Sequence, residues 1–549
     1  MVAQAVFLGV TPLGVRPTLA CKARRSSEGG ARPPAHREQP LSLIDRHPAP
    51  QRRRACLALC GSALLGARAL AQAPAVPVSR WDDVRAAMRS FVRDPAAPSV
   101  SVAVAMDGRI AFADAAGLAD RTRRVAATPA TAYSVASVSK PITATAVMRL
   151  VERGVIGLDE PANRYLGAAR LRGWEGDADA VTVRHLLSHT AGLPEHLDFH
   201  YADERQRPPP MATTLARYGV VAFEPGSLHQ YANLGFGALA AIVARQSRRP
   251  FGEAVQREVF APLGMGRASV RGVRAPQAAA LRYDARGRAI ADYRLFEVDG
   301  ASAVHASASD LARFGLLHLG AATPGAPRLL SDATIALMQQ RATPPDGAAW
   351  GLGWELGEER GVPVVQHSGG MPGVRARLTL VPTRRAVIVV LVNGEAWPEA
   401  LYERLLSIVG LPDPAPPSRA SGSAATAAKP EVSQAFAGEW RGSLRTYAGT
   451  VPFTFELRAD GSAMAALGGG APAPVEELTA RDGFLYGFVA GTVPTADARR
   501  RPGKVWMQLR SSTDLGGAPA LVGVIYQDSV TGERDRYTLG APLRLRRVS

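Results

Sequence analysis

Ser137 and Lys140 stand three residues apart in Tyr-Ser-Val-Ala-Ser-Val-Ser-Lys-Pro, residues 133–141. The chain has only four lysines among its 65 Lys+Arg residues, and Lys140 is the only one between Lys22 and Lys429. Arginine keeps its proton inside a protein, whereas a desolvated lysine can lose its proton and act as a base. Ser-x-x-Lys at the start of a helix puts both side chains on one face, a turn apart. That is the arrangement of an activated serine nucleophile. A capping serine followed by a surface lysine has the same spacing, so the pair gains its weight from the rest of the chain.

Three more segments carry side chains suited to the same chemistry. Residues 182–194 read Thr-Val-Arg-His-Leu-Leu-Ser-His-Thr-Ala-Gly-Leu-Pro. Residues 231–237 read Tyr-Ala-Asn-Leu-Gly-Phe-Gly, and residues 366–373 read Gln-His-Ser-Gly-Gly-Met-Pro-Gly. Taken in this order with Ser137-x-x-Lys140, they resemble the serine β-lactamase and penicillin-binding-protein superfamily. The branch they resemble holds class C β-lactamases, D-alanyl-D-alanine peptidases, D-aminopeptidases and esterases. The resemblance covers roughly residues 80–410.

The resemblance implies an acyl-enzyme formed on Ser137. Its base is either neutral Lys140 or a Tyr231 phenolate stabilised by protonated Lys140, and the residues leave that choice open because the two titrations are coupled. Asn233 would hydrogen-bond an acyl-side amide of the substrate. The backbone N–H groups of Ser137 and Gly370 would hold the oxyanion. His367, Ser368 and Gly369 would form the edge strand alongside the bound acyl group, with Gly369 permitting close approach. Many β-lactamases carry Lys-Thr-Gly where this chain has His367-Ser368-Gly369. Histidine is cationic only part of the time near neutral pH, so a permanent anchor for a substrate carboxylate is missing, although Ser368 can donate a hydrogen bond. The family's peptidases and esterases more often carry His here. The expected substrate is therefore a D-amino-acid peptide, a β-lactam or a small ester, with the balance moved toward peptidase or esterase. The rivals are a promiscuous esterase without a cell-wall role and a non-catalytic sensor of peptidoglycan or penicillin. No metal or cofactor is implied.

Other polar residues read as structural. His185 and His189 shape the loop beneath the site through buried hydrogen bonds. His196 and His200, four apart, would share a helix face, but no Glu accompanies them in the zinc-protease arrangement. Gly-x-Ser-x-Gly is absent, which argues against an ordinary α/β-hydrolase. Trp350 and Trp354 read as packing, and family position places them near the cleft.

These groups need a scaffold, and the periodicities supply one. Residues 81–92 read as an amphipathic helix. Alternating residues 99–106 and 109–113 flank Asp107-Gly108, a favoured hairpin turn. A helix is predicted from Ser137 to about Arg153, with Pro141 in its first turn and Ile142, Val147, Leu150 and Val151 as its apolar stripe. Strands are predicted at 362–367, 376–380 and 386–392, and a last helix at 398–409. One sheet built from both ends of this region, flanked by helices, with a helical subdomain between, gives an α+β fold. Residues 411–433 are rich in Pro, Ala and Ser and read as a linker. Residues 434–549 read as a small all-β barrel or sandwich with strands at 451–457, 505–509 and 521–526. Its Gly-x-Trp start at Gly438 is similar to lipocalin-like barrels appended to some family members.

The whole chain sets outer bounds. Its 549 residues suggest two or three domains. The net charge is +17, with dispersed arginines, so nucleic acid is not an expected partner; a small molecule or short peptide is. All three cysteines (Cys21, Cys56, Cys60) lie in the first 60 residues. Residues 52–73 read as an export signal, with Arg52, Arg53 and Arg54, an apolar run and small-x-small cleavage sites. That run falls short of the ~20 residues of a stable membrane span. Export to the periplasm or medium is the expectation, and it leaves a mature chain without thiols or disulfides. Residues 1–50 read as either a start assigned too far upstream or a disordered extension. No sequence signal bears on oligomeric state.

Overall fold

The computed structural model describes residues 77–174, 177–270, 279–295, 299–321, 328–413, 434–500, 503–514, 516–529 and 537–548. The leader at 52–73, the extension at 1–50 and residues 414–433 of the linker lie outside the described residues. Among the described residues no helix is long and apolar enough to cross a membrane.

In chain order the site is framed by helix α1 (Val78–Phe91) and strands β1 (Ser99–Met106) and β2 (Arg109–Asp120). Helices α2 (Ser139–Glu152) and α3 (Val183–Leu187) follow, then strand β3 (His196–Tyr201). Helices α4 (Asn233–Ser247), α5 (Asp299–Ser302) and α6 (Ala308–His318) come next. Strands β4 (Glu355–Glu359), β5 (Val362–Met371), β6 (Val374–Val381) and β7 (Ala386–Val392) precede helix α7 (Glu399–Ile408).

The main sheet runs β4-β5-β6-β7-β1-β2 with Val125–Ala126 at its far edge. β1 pairs with β7 from Val100 opposite Val392 to Met106 opposite Ala386, so the two ends of this region do meet in one antiparallel sheet. Alternation along the strands gives the sheet two apolar faces. Val100, Val102, Val104, Ile388 and Val390 pack against Trp81, Val84, Met88, Leu401 and Leu405 of α1 and α7. Ala103, Ala105, Val387, Val389 and Leu391 face the larger core that contains α2, α4 and α6. The fold is the mixed helix-and-sheet type expected.

The C-terminal strands close almost into a barrel. Going round it, Gly438–Thr446 is followed by Gly449–Leu457, Ala463–Leu467, Ala473–Pro474, Glu476–Arg481, Phe484–Val489, Lys504–Thr513, Pro519–Asp528 and Tyr537–Arg547. Each pairs antiparallel with its neighbour except at one seam, and the last pairs back onto the first. The seam without ladder bonds lies between Ala473–Pro474 and Glu476–Arg481. Trp440, Phe453, Phe455, Leu485, Met507, Leu521 and Ile525 form its buried core, and Trp440 Nε1 donates to the Phe436 carbonyl at 2.9 Å.

One correction concerns His196 and His200. They lie on strand β3, not a helix. A spacing of four suits both the helical repeat and two strand repeats, and here His196, Asp198 and His200 share one face. That strand pairs with Tyr537–Arg547 of the barrel, with Asp198 opposite Tyr537 and His196 opposite Leu539. The barrel is thus fastened to a strand that begins one residue after Glu195.

Candidate active site

Ser137 lies in a single 3-10 turn, Ala136–Val138, that runs into α2. The turn is held on several sides. Val135 N–H donates to the Val304 carbonyl at 3.0 Å. Ser139 Oγ donates to the Ala136 carbonyl at 2.7 Å and accepts from Val304 N–H at 3.1 Å. Thr143 Oγ1 donates to the Gly300 carbonyl at 2.7 Å. This bracing keeps Ala136, next to the serine, at φ +46°. For a residue with a Cβ that conformation costs roughly 1–2 kcal/mol.

Lys140 is fully buried. Its Nζ lies 3.0 Å from Ser137 Oγ, 2.7 Å from Asn233 Oδ1 and 3.1 Å from the Ala301 carbonyl. Burial lowers its pKa to about 7, against the opposing charge of Glu195. The amide and the carbonyl oxygens can only accept. A neutral amine therefore has both its hydrogens committed to Asn233 and Ala301. Its lone pair is left for the Ser137 hydroxyl.

Tyr231 packs beside this pair. Lys140 Nζ is 4.7 Å from its ring centroid, and its hydroxyl is close enough to Ser137 for the serine to act on its titration. Burial pushes the phenol well above its ordinary pKa, and Ser137 only partly opposes that. His189 sets the Tyr231 loop. Its backbone is at φ +58°, its carbonyl accepts from Gln230 N–H at 2.8 Å, and its Nδ1 accepts from Ala232 N–H at 3.1 Å. Its ring stacks on Tyr231 at 4.3 Å and on Trp350 at 4.9 Å. Burial holds it neutral. His185 closes the N-terminus of α3 in a capping box with Thr182. Trp350 also stacks on His367 at 5.4 Å, inside the constellation.

The His367-Ser368-Gly369-Gly370 segment extends β5 past its β4 partner, which ends opposite Gln366. β4, not β5, is thus the edge of the sheet, and only this extension is uncovered on that side. A Cβ on Gly369 would lie 2.3 Å from the Val135 carbonyl, so the close approach here is that of the serine turn itself. Around Gly370 a Cβ would meet nothing within 4 Å. Ser368 is exposed, and His367 is buried. His367 Nδ1 lies 2.7 Å from the Ser368 carbonyl and must carry the proton, since a carbonyl only accepts. Nε2 is then a buried acceptor with no hydrogen-bond partner among the described residues. Burial, with the Lys140 charge adding to it, lowers the His367 pKa to about 3. The imidazole read as partly cationic is neutral throughout the physiological range.

All eight site residues chosen from the sequence thus fall around one turn and one strand end. Asn233 differs in its engagement: its Oδ1 faces Lys140, and its Nδ2 donates to Glu195 Oε1 at 2.6 Å. The amide assigned to a substrate is already used at both ends within the protein. Glu195 is the residue that motif reading missed. It directly follows the string ending at Pro194, and that position is its only signal.

Known proteins share this architecture. The Beta-lactamase family matches residues 84–409. Esterase EstB of Burkholderia gladioli is 30% identical over 344 residues, covering 54% of this chain and 85% of the esterase. Penicillin-binding protein 4 of Amycolatopsis lactamdurans is 28% identical over 319 residues, covering 54% of this chain and 81% of that protein. The crystal structure of SurE matches with a TM-score of 0.58 at 21% identity, over 86% of this chain and 99% of SurE. The octameric penicillin-binding protein homologue of Pyrococcus abyssi gives 0.52 at 20% identity, over 84% and 99%. Those two likenesses are of fold, and their extent takes in the barrel as well as the main sheet. The chain belongs to the Beta-lactamase family.

Proposed function

We propose that this protein is a serine hydrolase that cleaves a small ester or amide through an acyl-enzyme on Ser137. The observation that carries the proposal is the surroundings of Lys140, where two acceptors take two N–H bonds and the third neighbour is the Ser137 hydroxyl. Neutral Lys140 takes the hydroxyl proton as Oγ bonds to the substrate carbonyl carbon. The carbonyl oxygen becomes an oxyanion, held by the N–H groups of Ser137 and Gly370. Collapse breaks the bond to the leaving alcohol or amine, which takes a proton from the Lys140–Tyr231 pair. A solvent water, deprotonated by the same pair, then cleaves the acyl-serine and frees the acid. Tyr231 acts here as a protonated donor, because burial disfavours its phenolate.

Among substrates we favour an uncharged carboxylic ester over a penicillin. Neutral His367 offers no cation for a carboxylate, and the Asn233 amide is already occupied. The likeness to Esterase EstB supports the same choice. The test is a panel of p-nitrophenyl butyrate, nitrocefin and D-alanyl peptides, run with a fluorophosphonate label on wild type and Ser137→Ala. The ester should turn over fastest, and Ser137→Ala should lose both turnover and label. Labelling that survives in Ser137→Ala removes Ser137 as nucleophile. Label on Ser137 without any turnover points instead to a sensor.

A further inference from the structure

The Glu195 carboxylate fixes which way the Asn233 amide faces. A carboxylate accepts only, so the NH2 end must point to Glu195 and Oδ1 to Lys140. With the amide reversed, NH2 would oppose the amine, donor against donor, and Lys140 would lose the acceptor that holds it beneath Ser137. The barrel reaches this group through Tyr526, whose hydroxyl stays protonated because burial, with the Glu195 charge adding to it, pushes its pKa up. The same hydroxyl accepts from Gln230 Nε2 at 3.2 Å, one residue before Tyr231.

We propose that Glu195 is a positioning residue for the reaction: it locks Asn233 so that Lys140 presents its lone pair to Ser137, and it places a negative charge beside that lysine. The proposal rests on the acyl-enzyme reading above. Among the described residues the other titratable groups facing Lys140 carry no charge. His189, from the loop after α3, and His367, from β5, are neutral through burial, and Tyr231, before α4, is protonated. α5 contributes only the Ala301 carbonyl. Among the described residues Glu195 is the charge that acts on Lys140, and it raises the lysine pKa against the lowering by burial.

The test compares Glu195→Gln and Glu195→Ala with wild type in the full chain. Gln keeps an oxygen acceptor for Asn233 Nδ2 and removes the charge, whereas Ala removes both. The readouts are kcat and KM for p-nitrophenyl butyrate against pH, and the rate of fluorophosphonate attachment at Ser137 located by peptide mass mapping. The acid limb of Glu195→Gln should move to lower pH by roughly half a unit or more, with its plateau kcat within about threefold of wild type. Glu195→Ala should lose about tenfold or more in kcat with KM little changed. A Glu195→Gln profile that superimposes on wild type overturns the proposal, as does a wild-type plateau kcat in Glu195→Ala. If Glu195→Ala fails to fold, the Gln profile alone decides. Wild type labelled at Ser137 with an unmoved profile sinks only the Glu195 role. Absence of label at Ser137 in wild type sinks the acyl-enzyme reading, and this one with it.

Discussion

Burial of Lys140 ties rate to pH. An amine acts as a base only when neutral, and desolvation brings the Lys140 pKa to about 7 from an ordinary value far above the working range. Below that pH the amine is protonated, and its lone pair is gone. Turnover of p-nitrophenyl butyrate should therefore fall on the acid side, with kcat/KM dropping about tenfold per pH unit well below the lysine pKa. A profile flat from pH 5 to 8 would exclude Lys140 as the base. Histidine cannot supply the same limb: the imidazoles of His189 and His367 are already neutral there, because burial disfavours their charged forms. The lysine was legible from its isolation in an arginine-rich chain. Its lowered pKa was not, because desolvation comes from residues as distant in sequence as Ala301 and Asn233.

At the scale of elements, the serine turn and β5 fit together too closely for a side chain at Gly369. A methyl there would meet the Val135 carbonyl at 2.3 Å, so the turn carrying Ser137 has to shift. Gly369→Ala should lower kcat about tenfold or more and cost about 1–3 kcal/mol of stability. Urea unfolding of Gly370→Ala, where the added carbon meets open space, supplies the comparison and should show a smaller loss. Equal losses in the two variants would mean that the serine turn yields to the methyl. The helix after Ser137 and strands β1, β2, β5, β6 and β7 followed from periodicity, whereas β4 did not. That β5 outruns β4 at Gln366, leaving His367–Gly370 uncovered on one side, depends on where two strands stop pairing, which periodicity along either strand does not fix.

Across the whole molecule, the barrel joins the main body through charged and apolar contacts. Asp198 on β3 pairs with Arg500, Tyr218 and Arg217 meet Asp497, and Phe223 and Leu228 pack with Phe484, Val524 and Tyr526. Burial works against the Asp198 carboxylate. The close approach of His200 Nε2 at 3.2 Å and the Arg500 guanidinium outweigh it, so its pKa lies below the ordinary value. Arg500→Ala should cost roughly 1–3 kcal/mol at pH 7, since it leaves a buried carboxylate with His200 alone beside it. A carboxylate with a depressed folded pKa contributes stability that is present above its unfolded value and lost as pH falls through the folded one. The deficit of Arg500→Ala should therefore shrink in strong acid. Urea unfolding at pH 7 and at pH 3 checks both points, and a variant as stable as wild type at pH 7 would show that the pair does not hold the barrel.

The sequence by itself determined the candidate reactive groups and their order along the chain. A serine and a lysine three apart at a helix start, a Tyr-x-Asn motif and a glycine-rich strand end are local patterns, and local patterns survive without knowledge of the fold. Apolar alternation likewise determined that both ends of residues 80–410 build one sheet and that a β region follows. Tertiary structure decided what each group is worth. It placed His196 and His200 on a strand against the barrel, gave Asn233 two partners inside the protein, made His367 neutral and brought Glu195 to the lysine. Desolvation, charge and the direction of an amide are set by atoms that meet only when distant segments, such as those of Lys140 and Ala301 at 161 residues apart, come within hydrogen-bond reach.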